Sequence, residues 1–216
     1  ERVNLMRTIM VINAKGGSGK STIATNLASY YASAGNKVAL VDYDPQGSSL
    51  AWLNARPGNK AKIQAIDGTR STVNPGRGTG YMIMDAPASV HGTALNNMVR
   101  HAHTFIIPVL PSPIDMRAAA DYIKEIRATN MISAKKGKIA LIANRGRDNT
   151  KVFWQLDEFL DHLKEPYVAA LSDSMHYVRA ADKGLGIFEM APAATALLRA
   201  EWQPLIDWID SRKSQP

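Results

Sequence analysis

The sequence predicts an α/β domain with a single doubly wound, mostly parallel sheet, and three observations carry that prediction. Apolar, β-branched runs recur along the chain, each handing over to a stretch with helical spacing, as strands joined by crossover helices do. Several runs end in a carboxylate or an amide, at the edge where open α/β sheets bind ligands. The first run, Arg7-Thr8-Ile9-Met10-Val11-Ile12, feeds a glycine-rich turn that opens directly into the helical pattern Ile23, Leu27, Tyr30, Tyr31.

Size and composition fit one such domain. The chain has 216 residues, 45% of them hydrophobic, enough for a sizeable core, and no apolar run approaches the length of a membrane span. The pattern covers residues 6–210 as a single domain, whereas residues 1–5 carry none and Met6 reads as a start. Cysteine is absent, which excludes disulfide staples and thiol catalysis. With no secretory apolar segment near the start, a reducing cytoplasm is the expectation. The net charge of +7 invites a polyanionic partner, most simply nucleic acid.

The turn after the first strand reads Asn13-Ala14-Lys15-Gly16-Gly17-Ser18-Gly19-Lys20-Ser21-Thr22. Gly16, Gly17 and Gly19 let the backbone come close to an anion, so that successive N–H groups and the next helix N-terminus wrap phosphates. Lys20 is placed for the β- and γ-phosphates of a nucleotide, Ser21 for Mg²⁺ and Thr22 for the α-phosphate. The usual P-loop pattern has glycine where this chain has Ala14, and the departure comes with a second lysine, Lys15. Lys-Gly-Gly-Ser-Gly-Lys-Ser-Thr resembles the deviant Walker A box of the ParA/MinD family of ATPases. That resemblance implies ATP and Mg²⁺, an ATP-dependent sandwich homodimer, and a Lys15 that crosses to the partner's nucleotide.

The buried run over 37–41 delivers Asp42-Tyr43-Asp44-Pro45-Gln46-Gly47. Two carboxylates at i and i+2 share a face at a strand end, and phosphoryl transfer needs an oriented nucleophile and charge neutralisation. The stretch resembles the family's switch I, which implies that Asp44 positions the attacking water and Asp42 supports the Mg²⁺ shell. A helix is predicted over 48–56 and a strand over 62–66, followed by the polar, glycine-rich stretch 68–80, to which no role attaches. The strand over 81–85 and Ala86-Pro87-Ala88 resemble the family's Walker B and switch II. The implied role of Asp85 is to hold Mg²⁺ through water. One crevice beyond the strand ends can collect Lys20, Asp44 and Asp85.

Residues 104–109 read as another buried strand, and Pro111-Ser112-Pro113-Ile114-Asp115 leads into a helix over 116–128. Either the prolines simply set the helix start, or, by resemblance to small ParA-type members, the segment lies near a dimer interface. His101 and His103 belong at a helix end and lack a third metal ligand. The strand over 139–143 ends at Asn144-Arg145, a pair that in the family commonly borders the adenine. An amide offers a purine edge both a donor and an acceptor. A helix is predicted over 152–163, and residues 171–189 resemble the family's C-terminal segment, in which a loop covers the base.

The last helical pattern carries the apolar stripe Leu198, Trp202, Leu205, Ile206 and Ile209 opposite Glu201, Asp207 and Asp210. That polar face suits anionic lipid poorly, so the stripe is expected to pack on the domain. Arg147, Lys151, Arg179, Lys183 and Arg199 lie in the basic C-terminal third, and no zinc or recognition-helix signature accompanies them. They form either a surface that contacts phosphates and ignores sequence or an ordinary solvated face. The resemblance implies nonspecific double-stranded DNA as partner, residence on the nucleoid, and a ParB-like partner that stimulates weak ATPase activity. It also implies a cargo to position or segregate: a plasmid, a chromosome region, or a protein assembly such as a carboxysome or chemoreceptor cluster. A MinD-like, membrane-associated spatial regulator is the alternative within the family.

Overall fold

The computed structural model describes residues 5–70 and 72–216. Residues 1–4 of the patternless leader and Ser71 of the 68–80 stretch lie outside the described residues. Among the described residues seven strands, β1 (Arg7–Val11), β2 (Val38–Asp42), β3 (Ile63–Asp67), β4 (Tyr81–Asp85), β5 (Thr104–Val109), β6 (Lys138–Gly146) and β7 (Tyr167–Ser172), form one sheet in the order β3-β2-β4-β1-β5-β6-β7. Every strand pairing in it is parallel. From β1 the chain winds outward through β2 to β3 and returns to β4. It then crosses β1 and continues through β5, β6 and β7 on the other side. The reversal falls at β1, and crevices for ligands open at such switch points.

The crossover helices are α1 (Lys20–Ser33), α2 (Ser48–Ala55), α3 (Gly92–Met98), α4 (Pro113–Ala128), the single turn α5 (Asn130–Ser133) and α6 (Lys151–Asp161), and α7 (Met175–Ala181) and α8 (Pro192–Asp210) follow the last strand. The two-residue period of the strands sorts the core into two layers. Ile9, Val11, Leu40 and Ile83 pack with Ile23 and Leu27 of α1 and Trp202 and Ile206 of α8. Met10, Ile12, Val41 and Met84 face the opposite way, onto Leu95 of α3, Ile123 of α4 and Leu156 of α6.

The structure differs from the sequence expectation at α3, for which the sequence pattern predicts no helix, and at α4, β6 and β7. Helix α4 starts three residues before the predicted 116, because Ser112 caps it by accepting the Asp115 N–H and Pro113 occupies the first turn, where no backbone donor is needed. Strand β6 runs on through Asn144 and Arg145 to Gly146. Strand β7 had no sequence signal: Tyr167-Val168-Ala169-Ala170-Leu171-Ser172 is a short, alanine-containing edge strand without the β-branched run that marks the others.

The apolar stripe of α8 is consumed by the core, with Trp202, Leu205 and Ile209 fully buried and Leu198 and Ile206 nearly so. Beyond it, the Ser214 hydroxyl accepts from the Arg7 guanidinium at 2.8 Å and its carbonyl accepts from Thr104 Oγ1 at 2.7 Å, tying the last turn to β1 and β5. Among the described residues no helix is long and apolar enough to cross a membrane. His103 Nδ1 lies 2.8 Å from Thr8 Oγ1, and the ring of His101 lies 6.0 Å from that of Tyr43, so each imidazole has a local partner.

Candidate nucleotide site

The loop between β1 and α1 is shaped by backbone conformations that side chains resist. Gly17 and Gly19 have φ of 75° and 93°. At Gly19 a Cβ would also lie 2.1 Å from the Asn144 amide nitrogen, so the position excludes any side chain twice over. Asn144 Nδ2 donates to the Ser18 carbonyl at 2.8 Å, bracing the loop from β6. Asn13 anchors the loop from its other side through Pro108 O of β5, at 2.7 Å. The result is a cavity of about 510 Å³ lined by Gly16, Gly17, Gly19, Lys20, Ser21, Thr22, Asp44, Asn144 and Arg145, with Asp173 and Tyr177 at its far side.

Lys20 is buried at the base of this cavity, where its Nζ donates to the Lys15 carbonyl at 3.0 Å. Burial pushes its pKa below the usual lysine value, and the nearby carboxylates of Asp85 and Asp44 pull the other way. A desolvated ammonium beside amide-rich backbone is a site for a polyanion.

Asp85 ends β4 and is 1% exposed. Its Oδ2 accepts from Ser21 Oγ at 2.6 Å and from Ser49 Oγ at 2.7 Å. Its Oδ1 is buried with no hydrogen-bond partner. Burial raises the carboxyl to a pKa of about 6, against the opposing hydrogen bonds of Ser21 and Ser49. An orphaned carboxylate oxygen beside a serine hydroxyl is a hard-oxygen donor set that fits Mg²⁺.

Asp42 stands in register with Asp85 on the adjacent strand. Asp42 Oδ1 accepts from Asp44 N at 3.0 Å, and Oδ2 accepts from Ser49 N at 2.9 Å and Leu50 N at 3.1 Å. Oδ2 is committed to backbone amides at the start of α2 and Oδ1 accepts from the loop before it, so Asp42 ties that helix to β2 and shapes the loop. Asp44 is half-buried at the cavity wall, where its Oδ1 accepts from Gln46 N at 2.9 Å.

The arrangement can bind a nucleoside polyphosphate with a divalent cation. Residues 9–187 match the CobQ/CobB/MinD/ParA nucleotide binding domain. The chain belongs to that family. Over 192 residues this CobQ/CobB/MinD/ParA member is 27% identical to the maintenance of carboxysome distribution protein A of Halothiobacillus neapolitanus, across 85% of this chain and 87% of that protein. Its fold is similar to that of a plasmid partition protein from Borrelia burgdorferi bound to AMPPNP, with a TM-score of 0.74 at 17% identity over 94% of this chain and 99% of that one. The ATP complex of a Cyanothece McdA variant gives 0.69 at 17% identity, over 93% and 96% of the two chains.

In this ParA/MinD-type chain the remaining expected residues meet different surroundings. Lys15 does not line the cavity; its amine pairs with Asp115 at 3.1 Å. Arg145 and Arg147 both pair with Asp173, at 3.4 and 3.2 Å. The Arg199 guanidinium donates to the carbonyls of Phe188 and Met190 and to Thr195 Oγ1, all at 2.9 Å, and so joins α8 to the preceding turn. Lys151, Arg179 and Lys183 are exposed. Asn144, expected at the adenine, has one amide N–H committed to the P-loop, which leaves its second N–H and its carbonyl for a base.

Two residues escaped the sequence reading. Ser49 bonds both buried aspartates, and only the serine directly after Asp-Pro-Gln-Gly-Ser signals it. Asp173 gathers two arginines at the cavity wall, and nothing local in the sequence pairs it with them.

Proposed function

We propose that the chain is a Mg²⁺-dependent ATPase of the ParA type that works as an ATP-sandwich dimer, binds DNA without regard to sequence, and positions a cargo. The observation that carries the reading is the pairing of a buried Lys20 in a glycine-built anion cradle with an orphaned Asp85 oxygen beside Ser21. Likeness to a carboxysome distribution protein over most of both chains supports a protein assembly as the cargo. Burial of the α8 stripe supports this reading over a membrane-anchored one.

In the proposed reaction, Lys20 and the loop amides hold the β- and γ-phosphates and stabilise the charge that develops on them. Thr22, at the first turn of α1, reaches the α-phosphate, while Asn144 and Arg145 border the base. Ser21 and Asp85 hold Mg²⁺, which neutralises phosphate charge when bound. Asp44 orients the water that attacks the γ-phosphorus. Lys15 of a second copy completes the site. Exposed Arg179 on α7, with Lys151 and Lys183, contacts DNA phosphates.

The test is binding of the Asp44→Ala protein to a random-sequence duplex, with ATP and with ADP, across a salt series. Binding that requires ATP and falls steeply with salt is expected. A dimer that forms with ATP yet ignores DNA at low salt overturns the DNA part. Lys20→Ala is expected to abolish ATP binding in calorimetry, and retained affinity overturns the site itself.

A further inference from the structure

Residue 15 divides its allegiance. Its carbonyl faces the cradle, accepting from Lys20 Nζ at 3.0 Å and from Ser18 Oγ at 3.2 Å. Its side chain leaves the cradle and pairs with Asp115 in the first turn of α4. Asp115 is the fixed member of that pair. Its side chain is only 13% exposed against 40% for Lys15, Ser112 Oγ donates to its Oδ2, and it lies where the helix N-terminus favours negative charge.

We propose that Asp115 is a positioning residue that holds Lys15 on its own subunit until a second copy arrives, so that this ion pair sets the threshold for ATP-dependent dimerisation. The proposal rests on the reading of Lys15 as a residue that serves the partner's nucleotide. A lysine that is ion-paired in the monomer must give up Asp115 before it meets phosphates elsewhere. Two such pairs open for every dimer formed, and each opening opposes association. The direction is therefore fixed: removing the carboxylate favours the dimer, and removing the amine disfavours it.

The experiment is the dimer dissociation constant in Mg²⁺ and a slowly hydrolysed ATP analogue, by sedimentation. Asp115→Asn keeps an oxygen for Ser112 while removing the charge, and is expected to tighten dimerisation about threefold per pair, roughly tenfold per dimer. Asp115→Ser, which also cannot pair with Lys15, should give the same shift and stands in should the first variant fail to fold. Ser112→Ala removes the cap but keeps the carboxylate, and should leave the constant unchanged while lowering the melting temperature. In a Lys15→Gln background, Asp115→Asn should change nothing, because the pair is already gone. Lys15→Gln that weakens dimerisation while Asp115→Asn fails to tighten it overturns the latch alone. Lys15→Gln that leaves dimerisation intact overturns the trans reading, and the latch with it.

Discussion

Asp42 and Asp85 end adjacent parallel strands, stand in register, and are both buried. Their surroundings make them different groups. Around Asp42, three backbone N–H groups meet two oxygens, so each oxygen has a donor from the chain itself. Around Asp85, two hydroxyls share one oxygen and the other is left without a donor. A charge that the chain itself saturates builds a loop. One that the chain leaves half-saturated keeps an oxygen free, and the metal-holding role proposed for Asp85 rests on that difference in partner inventory, since burial and strand position are shared.

Substitutions can break or sharpen that contrast. The largest expected effect is Asp85→Asn, which should lower ATP turnover by about 100-fold or more. Nucleotide-free protein carrying it should melt no lower than the parent, because the buried charge is gone. A drop in melting temperature with activity intact would reverse the roles of the two residues. Asp42→Asn should do the opposite first. An amide nitrogen facing the Ser49 and Leu50 N–H donors leaves them unsatisfied, at a cost of about 2–4 kcal/mol in urea unfolding.

Glu189 supplies a third kind of buried carboxylate, paired with Arg56 at 2.7 Å with both side chains about 5% exposed. Burial alone would raise its pKa, but the Arg56 hydrogen bonds and the Gly186 N–H more than offset that and hold it below the usual value. A depressed folded-state pKa means that its stability contribution is complete above the ordinary carboxylate range and is lost as pH falls through the folded value. Glu189→Gln should therefore cost about 3 kcal/mol at pH 7, leaving Arg56 unpaired, and its melting curve should lose part of the parent's acid sensitivity. The smallest effect belongs to Ser49→Ala, which keeps the N–H to Asp42 and removes the hydroxyl from Asp85, for about 1 kcal/mol of stability. Its melting temperature should change less than that of Asp42→Asn, while its Mg²⁺ dependence of ATP turnover shifts.

The sequence revealed what local chemistry determines. The P-loop, the strands that carry Asp42 and Asp85, and the helical stripe of α8 are each set by neighbours within a few residues, and the structure places them where the pattern puts them. Partner identity was not legible. Asp42 meets Ser49 and Leu50, Arg199 meets Phe188 and Met190, and Lys15 meets Asp115 only because the sheet order and the loops bring them together. A lysine or an arginine in a sequence looks like a free cation, and the fold decides whether it remains one. Strand β7 escaped for a related reason: its residues owe their extended form to pairing with β6 more than to intrinsic preference.

The position of β1 in the sheet also governs how this molecule is made. The first strand lies between β4 and β5, so neither edge of Ile9–Val11 has its partner until residues 81–85 and 104–109 have been synthesised. No hairpin shortens that wait, because each parallel neighbour needs a full crossover, and such non-local pairing is slow. During translation the apolar first strand leaves the ribosome as an unpaired edge, the kind of segment that chaperones recognise. The phosphate-binding loop is synthesised before the strands that flank β1 and becomes competent only after they pair, so nucleotide retention by a nascent chain would report that the centre of the sheet has closed.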